Sequence, residues 1–252
     1  MDWIGQTEAW TALAALLLLE VVLGVDNVVF ISILANKLPV ELQARARRTG
    51  LLLAGGMRVL FLLGVGVILG LKKPLFELFG VEFSGKSLVL LVGGLFLIWK
   101  AVKEIHHRLE GVDPHQQAGR AVTFRSVILQ VLLLDLVFSI DSVITAVGMT
   151  TYVPVMVIAV VLAVFVMLAA SGSIYDFVNR HPTVKMLALS FLLLIGMTLI
   201  AEGLGQKIPK GYVYSSMAFA LLVEMLNIRS RRPKDPVLLH GPAFVREGAV
   251  TK

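Results

Sequence analysis

Residues 16–35 read LLLLEVVLGVDNVVFISILA, and residues 131–150 read VLLLDLVFSIDSVITAVGMT. A single offset of 115 residues superposes Glu20 on Asp135, Asp26 on Asp141 and Asn27 on Ser142, so polar residues carry the match rather than generic leucines. Each stretch is about twenty residues long, the length that crosses ~30 Å of hydrocarbon as a helix, yet each holds two acids. A weaker echo aligns GLFLIWK at 94–100 with GMTLIAE at 196–202 and sets Lys100 against Glu202. The repeated unit is therefore three helices long. Because three is odd, its second copy enters the membrane from the opposite side. Such inverted repeats are a transporter architecture, with the site near the midplane where the repeats meet.

Working outward, the whole chain shares this character. Of 252 residues, 57% are hydrophobic and 16% charged, a balance unlike that of a soluble domain. Apolar windows predict seven spans near 10–35, 48–71, 86–105, 124–148, 152–175, 184–203 and 210–228. All are expected to be helices, since hydrocarbon demands internal partners for every backbone polar group and the runs lack the alternation of a barrel. The expected fold is an all-α polytopic bundle within residues 1–228. Repeat one covers about 10–105, repeat two about 124–203, and a seventh helix at about 210–228 lies outside the repeat; a basic tail, 229–252, follows. Lys37, Arg45, Arg47, Arg48, Arg108, Arg120, Arg180, Arg229, Arg231, Arg232 and Lys234 fall in alternate loops and the tail, whereas the other loops hold chiefly Lys72, Lys73, Lys207 and Lys210. By the positive-inside rule the N-terminus is outside and the C-terminus cytoplasmic. Met1 to Trp10 carries Asp2 and Glu8 and no basic residue, unlike the start of a cleaved signal. The net charge of +6 is accounted for by these loops and needs no nucleic acid.

Glu20 and Asp135 fall near mid-membrane, too deep to reach water. A carboxylate there costs roughly 2.5–3.5 kcal/mol on insertion scales, so four acids in two spans require partners or a wet cavity. Glu20 and Asn27 share a helix face, as do Asp135 and Ser142, whereas Asp26 and Asp141 lie about 120° from the first acids. Convergence on one ion then requires local unwinding, for which Gly24 and the equivalent Ser139 are the candidates; alternatively the acids line a path. The candidate ligands Glu20, Asp26, Asn27, Asp135, Asp141 and Ser142 are all oxygen donors, suited to Mg²⁺, Ca²⁺ or Mn²⁺. Zinc or copper would recruit Cys or His, yet there is no Cys, and His106, His107, His115, His181 and His240 lie in loops or tails. Arg58 is a deep base that should face a carboxylate, and Lys100 and Glu202 are further supporting charges. The bland alternative is a structural polar network in which Arg58 and Lys100 simply pair the acids. Glu224, a turn from Arg229, reads as interfacial pairing.

The paired segments EVVLGVDN at 20–27 and DLVFSIDS at 135–142 resemble the two signatures of the TerC family of integral membrane proteins. The likeness runs from the first span through GMTLIAEG at 196–203 to the seventh, and the chain is similar to the short UPF0053-type inner membrane form without CBS domains. The resemblance implies a link to tellurium resistance or manganese export, hence Mn²⁺ efflux from the cytoplasm across the inner membrane. Exchange for protons is the expected coupling, because carboxylates that release a metal at low dielectric favour protonation. A membrane scaffold for stress resistance is the competing expectation. An intramembrane aspartyl hydrolase is disfavoured by the lack of a GxGD motif, and the lack of a P-loop excludes an ATP-driven pump; no enzyme activity and no cofactor are expected.

Overall fold

The computed structural model describes residues 5–78, 80–110 and 122–230. His115 and Arg120 of one loop, and Arg231, Arg232, Lys234 and His240 of the tail, lie outside the described residues. Eight helices follow one another: α1 (Thr7–Ala35), α2 (Val40–Leu63), α3 (Val65–Gly70), α4 (Gly85–Leu109), α5 (Phe124–Met149), α6 (Val153–Arg180), α7 (Pro182–Gly203) and α8 (Lys210–Ser230). Five of them, α1, α5, α6, α7 and α8, are long and apolar enough to cross a membrane. The segments of the other two expected spans are helical, as α2 with α3 and as α4, but they are not among these five. The helix starts follow local chemistry. Ser84 caps α4 by accepting from the Ser87 amide at 3.1 Å, and Thr123 caps α5 by accepting from Ser126 at 3.2 Å. Prolines open the first turns of α6 and α7, where a missing N–H costs nothing. The second expected span is broken at Gly64, the C-cap of α2.

A feature beyond the helical expectation is the hairpin of β1 (Pro74–Leu78) and β2 (Val81–Ser84). Its turn passes through Gly80 at φ 74°, a left-handed conformation that glycine adopts without strain. Phe76 and Phe83 pair across the strands with ring centroids 5.3 Å apart, which fixes the register.

The helices interlock crosswise. α1 packs on α6 and α2 on α5, so each half's first helix rests on the other half's second. α4 and α7 make the most extensive helix pair, and they run antiparallel: Gly203 at the end of α7 lies against Ser87 at the start of α4. Their closest approach is at Gly94 and Gly196, the residues that the sequence echo equates. A Cβ on Gly94 would lie 2.7 Å from the Gly196 carbonyl oxygen, and one on Gly196 would lie 3.0 Å from that of Gly94. The neighbours are reciprocal too, with Ile200 over Gly94 and Ile98 over Gly196. Small residues let helix backbones meet in this way, where packing replaces the hydrophobic effect as the source of association.

Gly94→Ala and Gly196→Ala should each destabilise the bundle by about 1–3 kcal/mol through overpacking against backbone. Thermal unfolding in detergent checks this, with Gly56→Ala, which meets nothing within 4 Å, as the neutral control.

Candidate functional site

Three helices meet around one guanidinium. α1 supplies Glu20, α2 supplies Arg58, and α5 supplies Asp135 with Ser139, one turn further on the same face. Arg58 is 4% exposed, Glu20 3% and Asp135 5%, so the group is out of water. One Nη of Arg58 donates to Glu20, the other to Asp135 Oδ1 at 2.9 Å, and Nε donates to Ser139 Oγ at 3.3 Å. The Ser139 hydroxyl in turn donates a hydrogen bond to Asp135 Oδ2 at 2.8 Å, and Asn27 Nδ2 approaches Asp135 Oδ1 at 3.5 Å. The planar fork of arginine spreads its donors over three nitrogens, so two carboxylates and a hydroxyl bind it at once in a fixed geometry. With both acids ionised, two negative charges face one positive charge and one remains uncompensated.

Asp141 does not join this group. It is bonded by Lys210 at the start of α8, and Lys86 at the start of α4 lies 3.5 Å from its other oxygen. Lys86 also donates to Glu202 at 2.6 Å, and Lys210 to Thr145 Oγ1 at 3.1 Å. The expected unwinding is absent: α1 runs unbroken through Gly24 and α5 through Ser139. Gly24 serves packing instead, since a Cβ there would lie 2.2 Å from Met167 Sδ on α6. Ser139 is held by Arg58 and Asp135 as described above. On an intact helix, six residues carry Asp141 about 9 Å along and 120° around from Asp135, into the second cluster. The side chain of Asp26 lies outside the described residues. Among the described residues no three acids or histidines gather as a ready metal shell.

A cavity of about 70 Å³ lies between the two clusters and touches both. Its polar lining includes Asn27, Arg58, Asp141, Ser142, Glu202 and Lys210, with Leu23, Phe138 and Leu199 among its apolar walls. Thus Asn27, Asp141 and Ser142 of the expected ligands share one space with the expected supporting charges Arg58 and Glu202. Lys100 is elsewhere, bonded to Gln130. Sequence reading passed over Lys86 and Lys210 as members of this site, because a lysine at a span's end usually reaches for water. The available signal was their side: both flank the loops on the membrane face toward which the end of α5 carries Asp141.

Comparison with known proteins places the chain among membrane proteins. The family described as "Integral membrane protein TerC family" matches residues 5–235. The "UPF0053 inner membrane protein YgdQ" of Escherichia coli K12 is 50% identical over 93% of this chain and 98% of its own length. A "UPF0053 protein" of Haemophilus influenzae is 48% identical over 92% of this chain and 98% of its own. The longer "UPF0053 inner membrane protein YoaE" of Escherichia coli K12 is 48% identical over 92% of this chain but only 45% of its own length. No solved structure matches.

Removing Arg58 strands two buried carboxylates. Arg58→Met should therefore cost about 3–5 kcal/mol, read as lost membrane abundance and a lowered melting temperature. Neutralising the acids as well, in Glu20→Gln/Arg58→Met/Asp135→Asn, should restore most of that loss.

Proposed function

The chain belongs to the TerC family of integral membrane proteins, and from that premise we propose that it is a secondary transporter exporting a divalent cation, Mn²⁺ first, in exchange for protons. The observation that carries the reading is the cavity in which Asp141 and Glu202 are both held by lysine ammonium groups, beside the oxygen donors Asn27 and Ser142. Hard oxygen ligands suit Mn²⁺, and two carboxylates match its charge once the lysines withdraw. Lys86 and Lys210 then act as tethered counter-ions of the empty carrier: the metal displaces them on arrival, and they return when it leaves. The Glu20–Arg58–Asp135 group, with one negative charge in excess, is the place for the exchanged proton.

In this reading α1, α2 with α3, and α4 form one three-span repeat, and α5, α6 and α7 form its inverted copy. Support comes from the reciprocal Gly94–Gly196 contact and the crosswise packing of α1 on α6 and α2 on α5. α8 is the seventh span, with the N-terminus outside and the C-terminus cytoplasmic. The well-paired Arg58 network also fits a scaffold that assembles stress-resistance partners, and such a scaffold would show no metal-dependent proton flux in liposomes.

Asp26→Asn and Asp141→Asn should each abolish tolerance of excess Mn²⁺ while membrane abundance stays normal. The amide keeps the size but removes a charge that attracts a cation at low dielectric, and at Asp141 it also leaves Lys86 and Lys210 in excess. Full protection by both variants would overturn the export reading. Ser142→Ala should be milder, because water can replace a hydroxyl.

Lys210→Met should lower the half-saturating Mn²⁺ concentration for efflux by roughly tenfold, equivalent to about 1.4 kcal/mol of relieved competition. Mn²⁺ uptake into inverted vesicles, the equivalent of export from the cell, measures it over a Mn²⁺ series. An unchanged or raised half-saturation would remove Lys210 from the role of counter-ion.

A further inference from the structure

At the opposite end of α4 from Lys86, cations outnumber acids. Lys37, in the turn after α1, bonds Glu104, and Arg108 Nη2 reaches Glu104 Oε1 at 3.1 Å. Glu104 and Arg108 are 4% and 6% exposed, both buried. Lys100 is spent on Gln130, a neutral partner. The antiparallel register of α4 and α7, which places Gly203 beside Ser87 at one end, brings Lys185 within electrostatic reach of Arg108 at the other. Lys37, Lys100 and Arg108 therefore surround one carboxylate, and Lys185 adds a further positive charge beside Arg108.

Two of these cations lack what buried donors need. Arg108 Nε is buried and has no hydrogen-bond acceptor among the described residues. The Lys185 side chain is half-buried and makes no hydrogen bond or ion pair among them. A buried donor without an acceptor is destabilising, and a second positive charge beside it adds repulsion that low dielectric strengthens. One anion between α4 and α7 answers both. On its exposed side, about 100–120° around the helix from Arg108, α4 carries the apolar residues Val102 and Leu109, and further round Lys103 lies over the exposed Trp99 ring at 5.3 Å. Aromatic residues and lysines arranged so are characteristic of the level of lipid headgroups.

We propose that this notch between α4 and α7 binds a phosphate group, supplied by the headgroup of an acidic phospholipid whose chains lie along the exposed side of α4. The phosphate oxygens accept from Arg108 Nε and Lys185 Nζ, while Glu104 keeps Arg108 oriented. Basic pockets between helices at a membrane face are suited to such headgroups. The site makes no use of metal or transport, so it stands or falls apart from the export reading.

The test uses the purified full chain in detergent, titrated with phosphatidylglycerol or phosphatidylcholine, with retained lipid counted by native mass spectrometry. Phosphatidylglycerol should be retained preferentially. Lys185→Met, which breaks no ion pair, should weaken its retention about fivefold, as the loss of one cation near a headgroup implies. Arg108→Lys keeps the charge but lacks the Nε donor and should also weaken it, whereas Lys73→Met, in a different loop, should not. Displacement of the lipid by millimolar inorganic phosphate would uphold the phosphate site and overturn the lipid as its source. Equal retention of the two lipids, or retention indifferent to both Lys185→Met and Arg108→Lys, overturns the proposal.

Discussion

Arg58 is a permanent charge in the middle of an apolar bundle, and the arrangement of three helices follows from the need to satisfy it. A guanidinium cannot shed its proton to escape burial, so carboxylates must come to it. Glu20 arrives on α1 and Asp135 on α5, from segments 115 residues apart in the chain. The network fixes the lengthwise register of α1 against α5, because sliding either helix by one turn would leave a buried charge unpaired. Apolar packing alone is less discriminating, since leucine against leucine is nearly as good one turn away. Here the charges specify the register, and the cores around Leu97 and Leu134 and around Leu16 and Val143 fill in behind them.

That register in turn sets where Asp141 can be. An unbroken α5 carries it away from Arg58 and toward the ends of α4, α7 and α8, where Lys86 and Lys210 are the available partners. A helix broken at Ser139 would free backbone carbonyls but would also withdraw Ser139 from Arg58 and Asp135. The serine hydroxyl, bonded on both sides, favours the intact helix. The cavity between the two clusters is the consequence: polar at both ends, apolar along the walls, and too small for anything much beyond an ion and its waters.

Much of this was legible in the sequence. Acids and leucines in register at a fixed offset exposed the helical repeat and singled out Glu20 and Asp135, and the depth of Arg58 required it to face a carboxylate. The split between Asp135 and Asp141 was legible in part: the 120° separation argued against one shell, and only an assumed break at Gly24 and Ser139 restored it. What the sequence did not disclose depends on tertiary placement. Lys86 and Lys210 look like ordinary span-end lysines until α4 and α8 are seen to start beside the end of α5. Glu104 looks like part of a solvated basic helix end until Lys37 and Arg108 enclose it. The hairpin at 74–84 was hidden because its cross-strand Phe76–Phe83 pair has no meaning in a reading by helical windows.

Equivalent places in the sequence echo need not carry equivalent charge. The echo that equates Gly94 with Gly196 also equates Lys100 with Glu202, a reversal of sign at equivalent places. One end of the α4–α7 pair therefore gathers Lys37, Lys100 and Arg108 around one acid with Lys185 beyond Arg108, while the other pairs Asp141 and Glu202 with Lys86 and Lys210. The first end is suited to an anion. The second is balanced, and it turns cation-attracting whenever a lysine moves off. If the two halves are inverted copies, as proposed, directionality has to come from such departures, since the repeat itself would present the same helices to both faces.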